Sequence, residues 1–285
     1  MMFKRILIVY KMSSFLYYQR LKTRFARRHR DVRARRLRQT HDRHYRTLKA
    51  VESFFKDRSA VTHKVWRGRR TDYDKYDLIV TVGGDGTFLE AARYTRNQPI
   101  VGINSDPKWS IGRYCVASQK NFKDIFARIF QGDYRIRKIM RLLLHIRKTK
   151  HRVLILNDVL ICHRLPAAMS RYQLILDGIR EEQRGSGIWV AAAAGSTGAV
   201  LSAGGKRIPL TSARWQYRPR ELYQGSGHRY RLKGGMLSPA QRLEVISFMN
   251  DGVIFLDGAH ASVPFSAGEA LVIHPSAVPL NFISV

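Results

Sequence analysis

A carboxylate set among glycines is the most chemically suggestive feature of the sequence. The run Gly-Gly-Asp-Gly-Thr, from Gly83 to Thr87, directly follows five apolar or β-branched residues, 78–82. That run predicts a strand buried on both faces, and residues 87–93 predict a helix that Thr87 caps. The glycines therefore lie at a strand-to-helix turn, where backbone N–H groups and the helix dipole form an anion site. The three glycines, Gly83, Gly84 and Gly86, let the backbone approach a phosphate without Cβ atoms in the way.

Asp85 needs a separate explanation. A carboxylate repels phosphate, so phosphate binding alone does not account for an acid in the middle of the turn. The side chain can hold Mg²⁺ or accept a proton from a hydroxyl group. The structural alternative is a tight turn in which Asp85 only caps the helix.

Two further polar clusters interrupt apolar stretches. Asn157-Asp158 breaks the run 153–161, and a buried polar group without a partner costs about 2–7 kcal/mol. The hydroxyls of a sugar would satisfy this pair, as would an internal turn. The second cluster, Gly195-Ser196-Thr197, follows a strand and offers hydroxyls and N–H groups to a polar ligand, with a close-packed turn as the alternative.

Strands and helices alternate in the first half of the chain. Strands are predicted at 3–10, 63–66, 76–82 and 99–104, with helical stretches at 15–55, broken once, and at 121–130. This βαβ pattern predicts a parallel sheet, whose ligands bind beyond the carboxyl ends of the strands. The turn from Gly83 to Thr87 and the loop from Asn104 to Pro107 should then face one crevice.

The second half is β-rich. Short strands are predicted from 141 to 273, with hairpin turns at Asp177-Gly178 and Asp251-Gly252 and a long loop from Tyr217 to Leu237. We therefore predict an α/β domain with a parallel sheet over 1–134 and a β-rich, sandwich-like domain over 135–270. A C-terminal segment, 271–285, is placed so that it can return to the first domain.

Composition narrows the class of protein. The 285 residues are 45% hydrophobic and carry a formal net charge of +30, which favours polyanionic partners. Thirteen Lys and Arg fall between Arg20 and Lys49, against two Asp; a solvated helix face is expected there, and attraction of an anionic substrate or nucleic acid is the alternative. Two cysteines, too few for a disulfide framework, favour a reducing cytoplasm, and no apolar run approaches the length of a membrane span. The first ten residues resemble a strand, so we expect no cleaved leader.

In their order and spacing the three clusters resemble the signatures of the NAD kinase family. Gly83 to Thr87 is similar to the first signature, and Asn157-Asp158 to the Asn-Glu/Asp pair. The stretch from Gly195 to Gly205 is similar to the Gly-Ser-Thr…Gly-Gly segment. The resemblance covers most of the chain from Phe3 to Ile283, and Gly102 to Pro107 brings it closer to the mitochondrial-type branch and its bacterial relatives.

The resemblance implies transfer of the ATP γ-phosphoryl group to the 2′-hydroxyl of the adenosine ribose of NAD, with polyphosphate as an alternative donor. Asp85 would be catalytic, aligning that hydroxyl and taking its proton late in the reaction. The phosphate-binding residues implied are Gly83, Gly84, Gly86 and Thr87. The NAD-binding residues implied are Asp85, Gly86, Phe88, Asn157, Asp158, Gly195, Ser196 and Thr197.

The same resemblance implies Mg²⁺ carried by ATP rather than by a protein metal site. It also implies a homodimer, with a tetramer as the alternative, and no membrane or nucleic-acid partner. The chain departs from the family at 192–194, which are alanines instead of Thr-Pro-Thr, and at Ala199 and Ser186, where many members have Tyr and Asp. Two rivals remain: a lipid kinase of the diacylglycerol or sphingosine type, with Glu90 matching a Glu common there, and a non-catalytic nucleotide- or nucleic-acid-binding protein.

Overall fold

The computed structural model describes residues 3–20, 32–147, 150–225, 227 and 229–285. The chain divides into two compact units. The first comprises Met1–Arg137 together with Asn281–Val285, and the second comprises Lys138–Leu280. No helix in the described part of the chain is both long enough and apolar enough to cross a membrane.

The first unit is built on a largely parallel sheet of seven strands. Their bounds are β1 Arg5–Tyr10, β2 Val61–Trp66, β3 Leu78–Gly83, β4 Pro99–Asn104, β5 Cys115–Ser118, β6 Arg135–Ile139 and β19 Leu280–Ser284. The order is β2-β1-β3-β4-β19-β6, and β5 also pairs with β4. Strands β1 to β4 run parallel to their neighbours, so their carboxyl ends share one edge. Every residue of β3 is buried, as its unbroken apolar run predicts.

Helices cover this sheet. They are α1 Ser14–Arg20, α2 Val32–Lys56, α3 Asp85–Tyr94 and α4 Phe122–Phe130, with a short 3₁₀ turn at Tyr73–Lys75. The end of α2 packs on α4 through aromatic side chains; Phe54 and Phe55 lie 6.1 and 5.1 Å from Phe126 between ring centroids. Helix α4 confirms the helical stretch predicted at 121–130, and it is amphipathic, with Phe122, Phe126 and Ile129 as its buried residues.

The second unit consists of two six-stranded sheets packed on one apolar core. One sheet has the order β11-β10-β15-β18-β7-β8 and the other the order β14-β13-β12-β9-β16-β17, and every neighbouring pair is antiparallel. The bounds are β7 Leu142–Ile146, β8 His151–Ile155, β9 Asp158–His163, β10 Ser170–Leu176, β11 Ile179–Gly185, β12 Gly187–Ala191, β13 Trp215–Arg220, β14 Gly235–Leu237, β15 Leu243–Ser247, β16 Gly252–Leu256, β17 Ser262–Pro264 and β18 Ala270–Pro275, with a short helix α5 at Ala199–Ser202.

The predicted fold class is confirmed in both halves, and three local predictions are corrected. Helix α3 begins at Asp85 rather than after Thr87, with Gly84 as its N-cap. Asp251-Gly252 is not a hairpin turn, because it joins β15 to β16, which belong to different sheets. The loop predicted from Tyr217 is shorter, since Trp215–Arg220 and Gly235–Leu237 are paired strands.

Two other predictions concern a turn and a helix break. Asp177-Gly178 is the hairpin turn between β10 and β11, with φ values of 49° and 79°, as expected for an Asp-Gly pair. Within the stretch 15–55, the described residues 15–20 and 32–55 are helical, in α1 and α2. Residues 21–31, which include part of the basic segment, lie outside the described residues, so the predicted break in the helix stays a prediction.

Candidate functional site

The glycine-rich turn links β3 directly to α3. Gly83 is the last residue of the strand and Asp85 the first of the helix. A Cβ on Gly83 would lie 2.3 Å from Oγ1 of Thr87, and one on Gly84 would lie 2.3 Å from Oγ of Ser110. A side chain at either position would therefore require Thr87 or Ser110 to move. The N-cap Gly84 offers no side chain to the first N–H groups of α3, of which that of Thr87 donates to the carbonyl of Gly84 at 3.0 Å.

Asp85 is held in place by a backbone group. Its Oδ1 accepts a hydrogen bond from the N–H of Tyr114 at 3.0 Å, just before β5. The carboxylate is half-buried, whereas Gly86 beside it is exposed. Burial, with the charge of Asp85 adding, raises the pKa of Cys115 to about 12, so that thiol stays protonated. An acid at the first position of a helix is also stabilised by the helix dipole.

Thr87 and Phe88 face the interior of the first unit. Thr87 is 1% exposed and Phe88 is fully buried. The Phe88 ring stacks on Tyr114, with centroids 5.0 Å apart and an angle of 11° between ring planes, and packs edge-on against Phe282. Direct contact of Phe88 with NAD stays a prediction, and the packing favours a structural role, in which it supports Tyr114 behind Asp85.

The loop after β4 closes over the same turn. The Asn104 side chain donates to the carbonyl of Ser110 at 2.9 Å and accepts the N–H of Asp106 at 3.0 Å. This hydrogen-bonded loop brings Ser110 against Gly84. The structure thus brings together the two segments that the sequence predicted to face one crevice.

Helix α2 is attached to this loop. Nε of Arg43 donates to Oδ1 of Asp106 at 2.8 Å, Nδ1 of His44 lies 2.9 Å from Oγ of Ser105, and the Arg36 guanidinium lies 3.5 Å from the centroid of the Trp109 ring. Burial, followed by the charge of Lys11, lowers the pKa of His44 to about 4, so the imidazole is neutral at pH 7. The basic side chains of α2 are therefore not all solvated, because Arg36 and Arg43 contact the loop after β4.

In the second unit, Asn157-Asp158 is organised by an acid that sequence reasoning missed. Oδ1 of Asp257 accepts the N–H groups of Asn157 at 2.7 Å and Leu156 at 3.1 Å. A Cβ on Gly195 would lie 2.2 Å from the carbonyl oxygen of Asn157, so the two predicted clusters touch through their backbones. The signal for Asp257 was the Asp257-Gly258 pair, because Asp257 adopts a φ of 51°.

Asp158 has an unusual acidity. It is 8% exposed, and burial, with the charge of Asp257 adding, raises its pKa to about 7. At neutral pH the carboxyl group is divided between its two forms. A carboxyl group of this kind can either donate a hydrogen bond to a ligand hydroxyl or accept one from it.

The two hydroxyl residues of the Gly-Ser-Thr turn differ in burial. Oγ of Ser196 is fully buried, accepts the N–H of Ile208 at 2.9 Å and lies 3.2 Å from its carbonyl oxygen. The hydroxyl of Ser196 therefore stabilises this turn. Its contact with NAD stays a prediction. Thr197 is half-buried, and Ala199 is exposed. The alanines at 192–194 are fully buried.

Metal ligands are not concentrated anywhere in the described residues, where no group of three or more His, Cys, Asp or Glu side chains could hold an ion. Both cysteines are free thiols.

Glu90, at the position where lipid kinases often carry Glu, accepts a hydrogen bond from the backbone N–H of Gly68. That contact gives Glu90 a structural role within the first unit.

Comparison with known proteins identifies the family of this chain. Residues 14–134 match the family described as the ATP-NAD kinase N-terminal domain. A probable NADH kinase of Oryza sativa subsp. japonica is 31% identical over 229 residues, which is 73% of this chain and 70% of the relative. The chain belongs to the NAD kinase family. An NADH kinase of Arabidopsis thaliana is also 31% identical, over 237 residues and 72% of each chain.

Solved structures of NAD kinases share the fold. An NAD kinase from Archaeoglobus fulgidus, crystallised with ATP, superposes with a TM-score of 0.71 over 98% of this chain and 93% of that one, at 24% identity. Yeast NADH kinase, complexed with NADH, gives a TM-score of 0.68 over 99% of this chain and 83% of that one, at 16% identity. At such identities these likenesses establish the fold alone. As a member of the NAD kinase family, the chain is a phosphotransferase, and the lipid-kinase and non-catalytic alternatives are not favoured.

Proposed function

We propose that this member of the NAD kinase family transfers the γ-phosphoryl group of ATP to the 2′-hydroxyl of the adenosine ribose of NAD or NADH. The observation that carries the proposal is Asp85, a half-buried carboxylate at the first position of α3, fixed by the N–H of Tyr114 and flanked by Gly84 and Gly86. A carboxylate so placed can align an alcohol and take its proton, while the uncapped turn beside it binds phosphate.

The chemistry asks the protein mainly to position groups and to neutralise charge. Phosphoryl transfer has a loose transition state, so the attacking hydroxyl must be in line with the leaving phosphate. Asp85 would orient that hydroxyl and accept its proton as the new P–O bond forms. The donor enters as the Mg²⁺ complex, whose cation is bound mainly by phosphate oxygens and water.

The second unit would supply sugar binding. A Cβ on Gly195 would meet the backbone of Asn157, and one on Gly198 would lie 3.4 Å from Oδ2 of Asp158. Thr197 is half-buried on the same turn. The carboxyl, amide and hydroxyl groups of Asp158, Asn157 and Thr197 can donate hydrogen bonds to the hydroxyls of a ribose and accept hydrogen bonds from them. A cytoplasmic homodimer, with polyphosphate as a second donor, completes the proposal.

The test is a coupled assay on the purified protein. Mg²⁺ is combined with NAD or NADH and with ATP or polyphosphate, and the phosphorylated product is measured with a dehydrogenase specific for NADP. The proposal predicts product that requires both a dinucleotide and a phosphoryl donor. The same mixture with a diacylglycerol dispersion in place of the dinucleotide should consume no ATP. Phosphorylation of the lipid, with no NADP or NADPH formed, would refute the proposal.

A further inference from the structure

Two cations lie at the edge of the sheet where the glycine-rich turn is found, and the sequence signatures include neither. Lys11 directly follows β1 and Arg67 directly follows β2, and the Arg67 N–H donates to the carbonyl of Tyr10 at 2.8 Å. Strand β1 lies between β2 and β3 in the sheet. Both side chains therefore leave the sheet at the edge where β3 delivers Asp85.

Arg67 lies over the first turn of α3. Its Nη1 is 3.1 Å from the position that a Cβ on Gly86 would occupy. Gly68, with a φ of +90°, turns the chain just after Arg67, and its N–H donates to the carboxylate of Glu90 on α3. This hydrogen bond fastens the turn after β2 to the helix. The guanidinium is thereby held beside the uncapped N–H groups that begin α3.

Lys11 belongs to the same group of charges. It is half-buried, and its pKa is lowered chiefly by burial. The charge of Asp106 opposes that shift, whereas the charges of Arg67 and Arg43 add to it. Asp106 is already bound by Arg43 at 2.8 Å, so it does not neutralise the group.

The balance of charge is therefore positive. Among the described residues, neither Lys11 nor Arg67 forms an ion pair with a carboxylate, and like charges near each other disfavour burial of either. A ligand with several negative charges relieves that repulsion. A guanidinium binds two phosphate oxygens at once, and an ammonium acts as a compact point charge.

We propose that Lys11 and Arg67 bind the phosphoanhydride chain of the phosphoryl donor, together with the backbone at Gly86. The ligand class is a linear chain of phosphates, which ATP and inorganic polyphosphate share. The inference rests on the proposed function, because it assigns the donor subsite of that same reaction. The two cations neutralise part of the negative charge of the donor, while Asp85 orients the acceptor hydroxyl and accepts its proton.

The experiment removes each charge and keeps the alkyl stem. Lys11→Met, Arg67→Met and the double variant are compared with Lys120→Met and Arg35→Met, which remove exposed cations of the same unit. Titration calorimetry gives Kd for ATP and for tripolyphosphate, and steady-state kinetics gives KM for each donor and for NAD. Thermal unfolding checks that each variant is folded.

Each single variant should weaken binding of both phosphate chains about tenfold to a hundredfold, the range of a charge-assisted hydrogen bond. The KM for NAD should change less than twofold, and the control variants should bind as the wild type does. Gly86→Ala provides a second approach, because its methyl group displaces the guanidinium and leaves both cations in the chain. It should weaken tripolyphosphate binding as well.

Two results would overturn the inference. One is an unchanged Kd for tripolyphosphate in the double variant. The other is a loss of ATP binding with tripolyphosphate unaffected, which would place these side chains at the nucleoside. If the wild type binds both phosphate chains through Lys11 and Arg67 yet forms no NADP, the proposed function fails and the phosphate subsite stands.

Discussion

The carboxylate of Asp85 accepts a hydrogen bond from the backbone N–H of Tyr114 at 3.0 Å. Because the donor is a main-chain group, the orientation of the acid depends on the path of the chain before β5 and not on a side-chain rotamer. Tyr114 is in turn stacked on Phe88 inside the first unit. The position of the proposed catalytic group is therefore set by packing behind it.

The ion pair between Arg43 and Asp106 should contribute to the stability of the first unit. The Asp106 side chain is 2% exposed and that of Arg43 is 25% exposed. Arg43→Met leaves a buried carboxylate without its partner, and we expect a loss of about 2–4 kcal/mol in the free energy of unfolding. Urea unfolding measures it. The double variant Arg43→Met/Asp106→Asn should recover much of the loss; if the double variant is as unstable as the sum of the single ones, the pair is not coupled.

The raised pKa of Asp158 predicts a specific dependence of stability on pH. The folded pKa is about 7 and the unfolded one is near 3.9, so between these values the folded state binds more protons. Stability from this group is therefore present below about pH 4, falls as pH rises and levels off above about pH 7. Asp158→Asn, which cannot ionise, should become more stable relative to the wild type by a few kcal/mol across that range. Parallel curves from pH 4.5 to 7.5 would show that Asp158 has an ordinary pKa.

Gly195 and Gly84 should differ in their tolerance of a methyl group. A Cβ at Gly195 meets the backbone carbonyl of Asn157 at 2.2 Å, whereas a Cβ at Gly84 meets the hydroxyl of Ser110. Backbone within a core cannot move aside, so we expect Gly195→Ala to cost about 3 kcal/mol or more.

The loss for Gly84→Ala should be smaller, and removing the hydroxyl with Ser110→Ala should restore part of it. Gly235→Ala is the control, because its nearest neighbour would be 3.7 Å away. Chemical denaturation compares the four variants. Equal losses for Gly195→Ala and Gly235→Ala would contradict the close backbone approach.

Sequence patterns predicted the elements that carry strong local signals. The apolar runs of β3 and β4 and the amphipathic face of α4 gave correct elements, because burial on both faces or on one face fixes the periodicity. The Asp177-Gly178 turn was found for a similar reason, since few residue pairs accept two positive φ values. The strand-to-helix turn that carries Asp85 was also predicted, since the glycines mark the point where β3 ends and α3 begins.

The features that the sequence did not predict depend on contacts between residues far apart in sequence. Tyr114 holds Asp85 through its backbone N–H, which leaves no mark on local composition. The Asp257-Gly258 pair marks a turn in the sequence, but local composition does not show that Asp257 accepts the N–H of Asn157. Lys11 and Arg67 are two among many cations in a chain of charge +30, and only the strand order sets them apart. Asp251-Gly252 resembled a hairpin turn because local turn chemistry cannot tell which sheet the next strand joins.

The most direct test of the account is the rate of NADP formation by Asp85→Asn. Asparagine keeps an oxygen that can accept the Tyr114 N–H, so the fold and the Kd for NAD should be retained, while the hydroxyl loses its proton acceptor. We predict a fall in kcat of about 10²–10⁴-fold, the usual contribution of a positioned base. Asp124→Asn, on the exposed surface of α4, should leave kcat unchanged. Near-normal turnover by Asp85→Asn would contradict the central claim that this carboxylate orients the 2′-hydroxyl and accepts its proton.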